Sequence, residues 1–357
     1  LILFGSTTQA SGTSGVDSLT YFDAVRFPVI GKIYPDSLPF FSRIPYFLKP
    51  TTRKAVWNLG QNAAGIAVRF RSDSPVIAVK WENTFNNSMK HMAPVGIKGL
   101  DLYCFIDGKW RFVNSAQPSG KTNQWQIISG MNAAEREYML YLPLYDGIHS
   151  LQIGVAAPSH IGQPSLPYPD TRKPIIFYGS SITQGACASR PGMAATNLIG
   201  RKLNVETINL GFSGNAFIDY EVAEMMAHVD ASAYVLDYVP NASPEQILEK
   251  TEKFVRILRE KHPDVPLIFV EDPIFPHSKF DLRMAKEIKD KNDAMNQAFS
   301  SLKKQGLKKI YLVKGRSLIS ANSESTVDGI HFTDCGFEQY VDAILPVLKK
   351  AINHKKK

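Results

Sequence analysis

Apolar and polar positions alternate with period two through the first half of the chain and give way to short unbroken apolar runs in the second. GIAVRFRSDSPVIAVKWE puts Ile66, Val68 and Phe70, then Ile77, Val79 and Trp81, on one face of two strands around a turn-rich SDSP. DLYCFIDGKWRFV predicts a hairpin, because Asp107-Gly108 tolerates the positive φ angles of a two-residue turn. YMLYLPLYDGIHSLQIGV repeats that pattern about Asp146-Gly147 and predicts a second hairpin. No long helical period interrupts these strands, so residues from about 18 to 157 read as a β-sandwich or jelly roll. Trp57, Trp81, Trp110 and Trp125 all fall here, and most are expected in the core rather than on a sugar-stacking face.

PSHIGQPSLPYPDTRKP, residues 158–174, holds five prolines and no period, and reads as a linker or an ordered strap. Beyond it come five short apolar strands, IIFY, VETINL, AYVLDY, LIFVE and IYLV. Nearly continuous apolar character is how parallel strands covered on both faces read. Between the third and fourth, Ser243 is the expected N-cap, Pro244 the first helical residue and Gln246 the partner in a capping box. Ile247, Leu248, Thr251, Phe254, Val255 and Leu258 then mark a buried helix face, and a last helix is expected from about Thr333 to Ile352. The expected architecture is therefore a β-sandwich followed by a doubly wound αβα sandwich, divided at 1–165 and 166–357.

At 357 residues the chain exceeds one ordinary core, in keeping with that division. No apolar run approaches the ~18–20 residues needed to span a bilayer. LILFGSTTQA at the start reads either as the remnant of a secretory leader, which would place the protein outside the cytoplasm, or as a short first strand. Much of the net charge of +8 is local, in Lys355 to Lys357 after His354, and no basic stripe interleaved with aromatics points to nucleic acid. Cys104, Cys187 and Cys335 are too few and too far apart for a zinc site or a disulfide framework. Cys187 and Cys335 both fall near the candidate site, so a disulfide between them stays open beside buried free thiols.

In a doubly wound sheet, ligands sit beyond the carboxyl ends of the strands. Those ends read Gly179-Ser180-Ser181, then Gly211-Phe212-Ser213-Gly214-Asn215, then Asp237-Tyr238-Val239-Pro240-Asn241, and, before the last helix, Asp328-Gly329-Ile330-His331. A serine hydroxyl needs a base, histidine has the right pKa, and the imidazole needs a carboxylate to fix its tautomer. Ser181, His331 and Asp328 are thus the candidate nucleophile, base and orienting acid. The amides of Ser181 and Gly214 and the side chain of Asn241 are candidate oxyanion donors. DGIH also occurs at 146–149, where Asp-Gly reads as a turn and His149 as structural. Thr183 excludes a GxSxG elbow, and the loop lacks the GK[ST] ending of a phosphate loop.

These blocks, GSSIT, GFSGN, DYVPN and DGIH, resemble in order those of the SGNH (GDSL-type) hydrolases across residues 175–352. Ser180 stands where the family has aspartate, and DYVPN departs from GxND while keeping Asn241. Gly99-Leu100-Asp101-Leu102-Tyr103 resembles the GxDLY signature of a β domain that precedes some SGNH esterases. The resemblance implies a secreted or periplasmic bacterial esterase acting on acylated, above all acetylated, carbohydrate without metal or organic cofactor. His91, Asp101 and Tyr103 become candidates for substrate contact, with a structural histidine the alternative for His91. Rival readings are a short-chain lipase or thioesterase of the same fold, and a carbohydrate-binding protein that has lost activity.

Overall fold

The computed structural model describes residues 18–167, 173–320 and 324–353. The leader-like residues 1–10, the basic end 354–357 and part of the proline-rich segment lie outside the described residues. The first half forms β1 (Leu19–Asp23), β2 (Val29–Ile30), β3 (Ala67–Ser72), β4 (Ile77–Asn83), β5 (Leu100–Ile106), β6 (Lys109–Ala116), β7 (Thr122–Ile128), β8 (Arg136–Tyr141), β9 (Ile148–Ala156) and β10 (Ile161–Gly162). Two antiparallel sheets result, β1-β9-β4-β7 and β10-β3-β8-β5-β6, with β2 alongside β3. Between them lies a core that includes Ile66, Val68, Phe70, Ile77, Val79 and Trp81, the positions that the alternation marks. Trp57 and Trp81 are buried, whereas Trp110 and Trp125 are half-buried.

Asp107 and Gly108 both adopt positive φ, and Ile106 faces Lys109 across the predicted hairpin. The second hairpin is not there. β8 and β9 belong to different sheets, so the chain crosses the sandwich at Asp146-Gly147. Asp146 is fully buried, and its carboxylate accepts from the amides of Phe85 (2.9 Å), Asn87 (2.7 Å) and Gly147 (2.8 Å). A carboxylate that reads as a turn former instead ties down the loop that carries His91. His149 sits exposed at the start of β9.

The second half is an αβα sandwich around β11 (Ile175–Gly179), β12 (Thr207–Gly211), β13 (Ala233–Asp237), β14 (Leu267–Val270) and β15 (Ile310–Val313). All pair in parallel, in the order β12-β11-β13-β14-β15. One face packs Ile176, Tyr178, Leu210 and Leu236 with Phe254 and Met295; the other packs Ile175, Phe177, Val235 and Ile268 with Ile199 and Val341. Both faces being covered explains the unbroken apolar runs. The helix Pro244–Lys261 has the predicted capping box at Ser243 and Gln246, and the last helix runs Asp334–Asn353. Leu248 corrects the predicted face: it is 44% exposed, while its five partners on that face are buried. Among the described residues no helix is long and apolar enough to cross a membrane.

The two halves share their cores. Ile44, Val56 and Trp57 join the cluster on one face of the parallel sheet, and Met92, Ile97, Leu144 and Tyr145 join the cluster on the other. Asp101 and Tyr103 belong to this junction. Asp101 is fully buried and accepts from Ser115 Oγ (2.6 Å), Arg190 Nη1 (2.9 Å) and the Gly192 amide (2.8 Å). Tyr103 receives Arg190 Nη1 at its hydroxyl (2.6 Å) and lies under the Arg201 guanidinium. Both residues therefore hold the segment Arg190–Gly192 against β5.

Candidate active site

β11 delivers the chain to a short helix, Ser181–Gln184, whose N-cap is Ser180. Ser180 Oγ accepts from the Ile182 amide at 3.2 Å, so the residue that departs from the family pattern has a capping role. Ser181 is the first helical residue, and its Oγ lies 3.0 Å from His331 Nε2. His331 Nδ1 lies 2.7 Å from Asp328 Oδ2, while Asp328 Oδ1 accepts from the amides of His331 (2.8 Å) and Ile330 (3.1 Å). Partial burial pushes the Asp328 carboxyl up, but the imidazole hydrogen bond and those two amides outweigh it and hold the group at about 2. The carboxylate is therefore charged at neutral pH. The loop itself is pinned where the Val327 amide donates to the His331 carbonyl (2.8 Å).

After β12, Gly214 takes φ +64°, in the left-handed region, and a Cβ built there meets nothing within 4 Å. Asn241, past the end of β13, accepts the Ala216 amide at Oδ1 (3.2 Å), which leaves its amide nitrogen as the donor end. Ser181, Gly214, Asn241 and His331 line one cleft of about 330 Å³. Its remaining wall is apolar at Ile182, Phe275, Ile288 and Ile330 and charged at Glu287 and Lys291. Neither Asp101 nor Tyr103 lines it.

His91 does come to the site: its ring centroid lies 5.3 Å from that of His331. Cys187 Sγ donates to the His91 carbonyl at 3.2 Å. All three cysteines are free; Cys187 is buried, but Cys335 is exposed, unlike the buried thiol expected there.

Several residues at the site escaped the sequence reading. Arg43 is fully buried and donates to the carbonyls of Gly211 (2.6 Å), Asn209 (3.1 Å) and Leu59 (2.6 Å), clamping the end of β12. Burial lowers its guanidinium to about 9. Tyr145 approaches the Ser181 carbonyl at 3.5 Å from the N-terminal half. Asp237 accepts from Thr183 and Tyr340 (2.8 Å each), and Asp272 borders the cleft; burial raises both to about 7. An arginine or aspartate inside an otherwise apolar stretch was the available signal for these, since such a group is buried only with partners.

The GDSL-like lipase/acylhydrolase family matches residues 172–349. The GxDLY family, the N-terminus of SGNH-hydrolase-type esterases, matches residues 19–161. No curated protein matches the chain. A crystal structure from Bacteroides ovatus ATCC 8483, described as a GDSL-like lipase, is 38% identical and aligns over 94% of this chain and 98% of its own, with a TM-score of 0.90. The salicylyl-acyltransferase SsfX3 from a tetracycline biosynthetic pathway is 17% identical, with a TM-score of 0.74 over 93% of this chain and 98% of that one. An acetyl xylan esterase (Est2A) from the rumen bacterium Butyrivibrio proteoclasticus is 12% identical, with a TM-score of 0.58 over 94% and 99%. These last two share the fold.

Proposed function

The chain belongs to the GDSL-like lipase/acylhydrolase family and is a serine ester hydrolase; from that premise we propose that Ser181 is its nucleophile, His331 its base and Asp328 its orienting acid, and that it removes acetyl groups from carbohydrate. The observation that carries this reading is the unbroken chain of contacts from Ser181 Oγ to His331 Nε2 (3.0 Å) and from His331 Nδ1 to Asp328 Oδ2 (2.7 Å). In the proposed cycle Ser181 Oγ bonds to the acyl carbon as its proton passes to His331 Nε2. Asp328, ionised, stabilises the imidazolium and keeps its Nδ1–H turned inward. The negative charge on the former carbonyl oxygen meets the amides of Ser181 and Gly214 and the Asn241 side-chain nitrogen. Collapse breaks the bond to the leaving alcohol, which takes the proton from His331. Water, deprotonated by the same imidazole, then releases the acid and restores Ser181.

Carbohydrate is favoured because Glu287, Lys291 and Asn241 give the cleft polar edges, and because carbohydrate esterases share this fold. Acetylated polysaccharide is met outside the cytoplasm, so a secreted or periplasmic place is part of the proposal. A second reading, a short-chain lipase or thioesterase, draws support from Phe280 (87% exposed) and Leu282 (79% exposed), near the cleft residue Met284. Turnover of p-nitrophenyl acetate by wild type and Ser181→Ala tests the nucleophile; the expected loss is on the order of 10⁴-fold or more. Acetate release from acetylated xylan, set against release from short-chain triglycerides, tests the substrate. If both proteins are inert on every ester yet bind glycan, the reading fails in favour of a binding protein.

A further inference from the structure

Three segments far apart in the chain bring two imidazoles and a thiol together beside the cleft. Ligand atoms of His91, Cys187 and His331 all lie within 4.8 Å of one another. Each donor is held by its own scaffold. The loop to His91 is tied by the buried Asp146 carboxylate and by Asn87 Nδ2, which donates to the Tyr145 carbonyl at 2.7 Å. Further along, Gly96 abuts the Ala188 carbonyl so closely that a Cβ there would stand 2.4 Å from it, so only glycine lets this loop close on Cys187. Cys187 holds φ +67°, a left-handed conformation that a non-glycine residue adopts only when its surroundings impose it.

We infer that His91, Cys187 and His331 form a binding site for a thiophilic divalent cation, Zn²⁺, which overlaps the catalytic base and shuts the hydrolase down. Histidine nitrogen and cysteine sulfur both ligate zinc, with metal–ligand distances of about 2.0–2.3 Å. Tetrahedral ligands at that range stand about 3.3–3.7 Å apart, so the cluster needs to contract by about one ångström. The proton balance is simple. Zinc binds cysteine as the thiolate, so the ion enters by displacing the Cys187 proton, now donated to the His91 carbonyl, to solvent. A neutral His331 that gives its Nδ1–H to Asp328 has one lone pair left, on Nε2. That pair either bonds the ion or receives the Ser181 proton, and it cannot do both.

The inhibitory half of the inference rests on His331 being the base; the binding half rests on the three donors alone. The test uses the full chain carrying Cys335→Ser, which removes the exposed thiol, and Co²⁺ as a coloured substitute for Zn²⁺. The expected result is one equivalent of Co²⁺ with a thiolate-to-cobalt charge-transfer band that Zn²⁺ displaces. With it, Zn²⁺ lowers p-nitrophenyl acetate turnover at least tenfold, and a chelator restores it. Adding Cys187→Ser, or Cys187→Ala should the serine variant misfold, removes the band and at least tenfold of the zinc sensitivity. No band in the Cys335→Ser parent, or a band that survives both Cys187 variants, overturns the site. A band with turnover untouched by zinc overturns the overlap with the base and leaves the binding intact. Turnover that persists in Ser181→Ala, with the band unchanged, counts against the catalytic assignment and not against the metal site.

Discussion

Replacing Asp328 with asparagine isolates the electrostatic link of the proposed triad with little disturbance of the loop. The substituted side chain can keep Oδ1 where it accepts the His331 and Ile330 amides, now at 2.8 and 3.1 Å. It puts an NH₂ group where Oδ2 stands, 2.7 Å from His331 Nδ1. Two donors cannot face each other at that distance, so the imidazole is driven to the tautomer with a bare Nδ1 and a protonated Nε2. Nε2 then donates to Ser181 Oγ and cannot accept its proton. The loss expected for a wrong tautomer is on the order of 10⁴-fold in kcat, or about 5 kcal/mol of transition-state stabilisation. Because the loop amides keep their acceptor, the melting temperature should move by no more than a few degrees. Steady-state turnover of p-nitrophenyl acetate and a thermal melt measure the two quantities side by side. A loss of less than about tenfold in a variant that melts like wild type would refute the tautomer argument.

Three further outcomes follow from the same structure. His331→Ala should abolish turnover while His149→Ala, exposed on β9, leaves it near wild type; steady-state assays of the pair decide between the two DGIH copies. Asp101→Ala strips a buried acceptor from Arg190, Gly192 and Ser115 and should cost about 3–5 kcal/mol of stability, read by denaturant unfolding, with KM unchanged in the protein that remains folded. Burial raises Asp272 to about 7 in the folded protein, above its ordinary value near 4, so the folded form holds its proton more tightly across that window. Its contribution to stability is therefore greatest below about pH 4 and falls as the pH rises toward 7. Unfolding curves should show the stability of wild type declining relative to Asp272→Asn between about pH 4 and 7, and a constant difference would count against the shift.

The parallel sheet was legible because a strand buried on both faces has little room for polar residues, and IIFY, AYVL and LIFV show it. The candidate site was legible because such sheets gather their chemistry at strand ends, where Ser181, Gly214, Asn241 and His331 indeed line one cleft. Tertiary use of a locally ambiguous residue hid the rest. Asp146-Gly147 has the local chemistry of a hairpin, yet its carboxylate bridges two segments and the chain changes sheets. Asp101 stood out in its signature, but whether a carboxylate meets substrate or an internal arginine depends on Arg190, which is 89 residues away. Leu248 fits the helical stripe by spacing and misses the sheet by rotation about the helix axis. The meeting of His91, Cys187 and His331 has no local signature at all, because spacing along the chain says nothing about three loops converging.

The central claim is that one hydroxyl, that of Ser181, carries the acyl group between its two owners. Mass spectrometry of the protein after reaction with a phosphonate ester that traps activated serines tests it most directly. The account predicts a single adduct on the peptide containing Ser181, lost in Ser181→Ala and formed far more slowly in His331→Ala. An adduct on any other residue, or hydrolysis that continues at the wild-type rate once Ser181 is blocked, would contradict it.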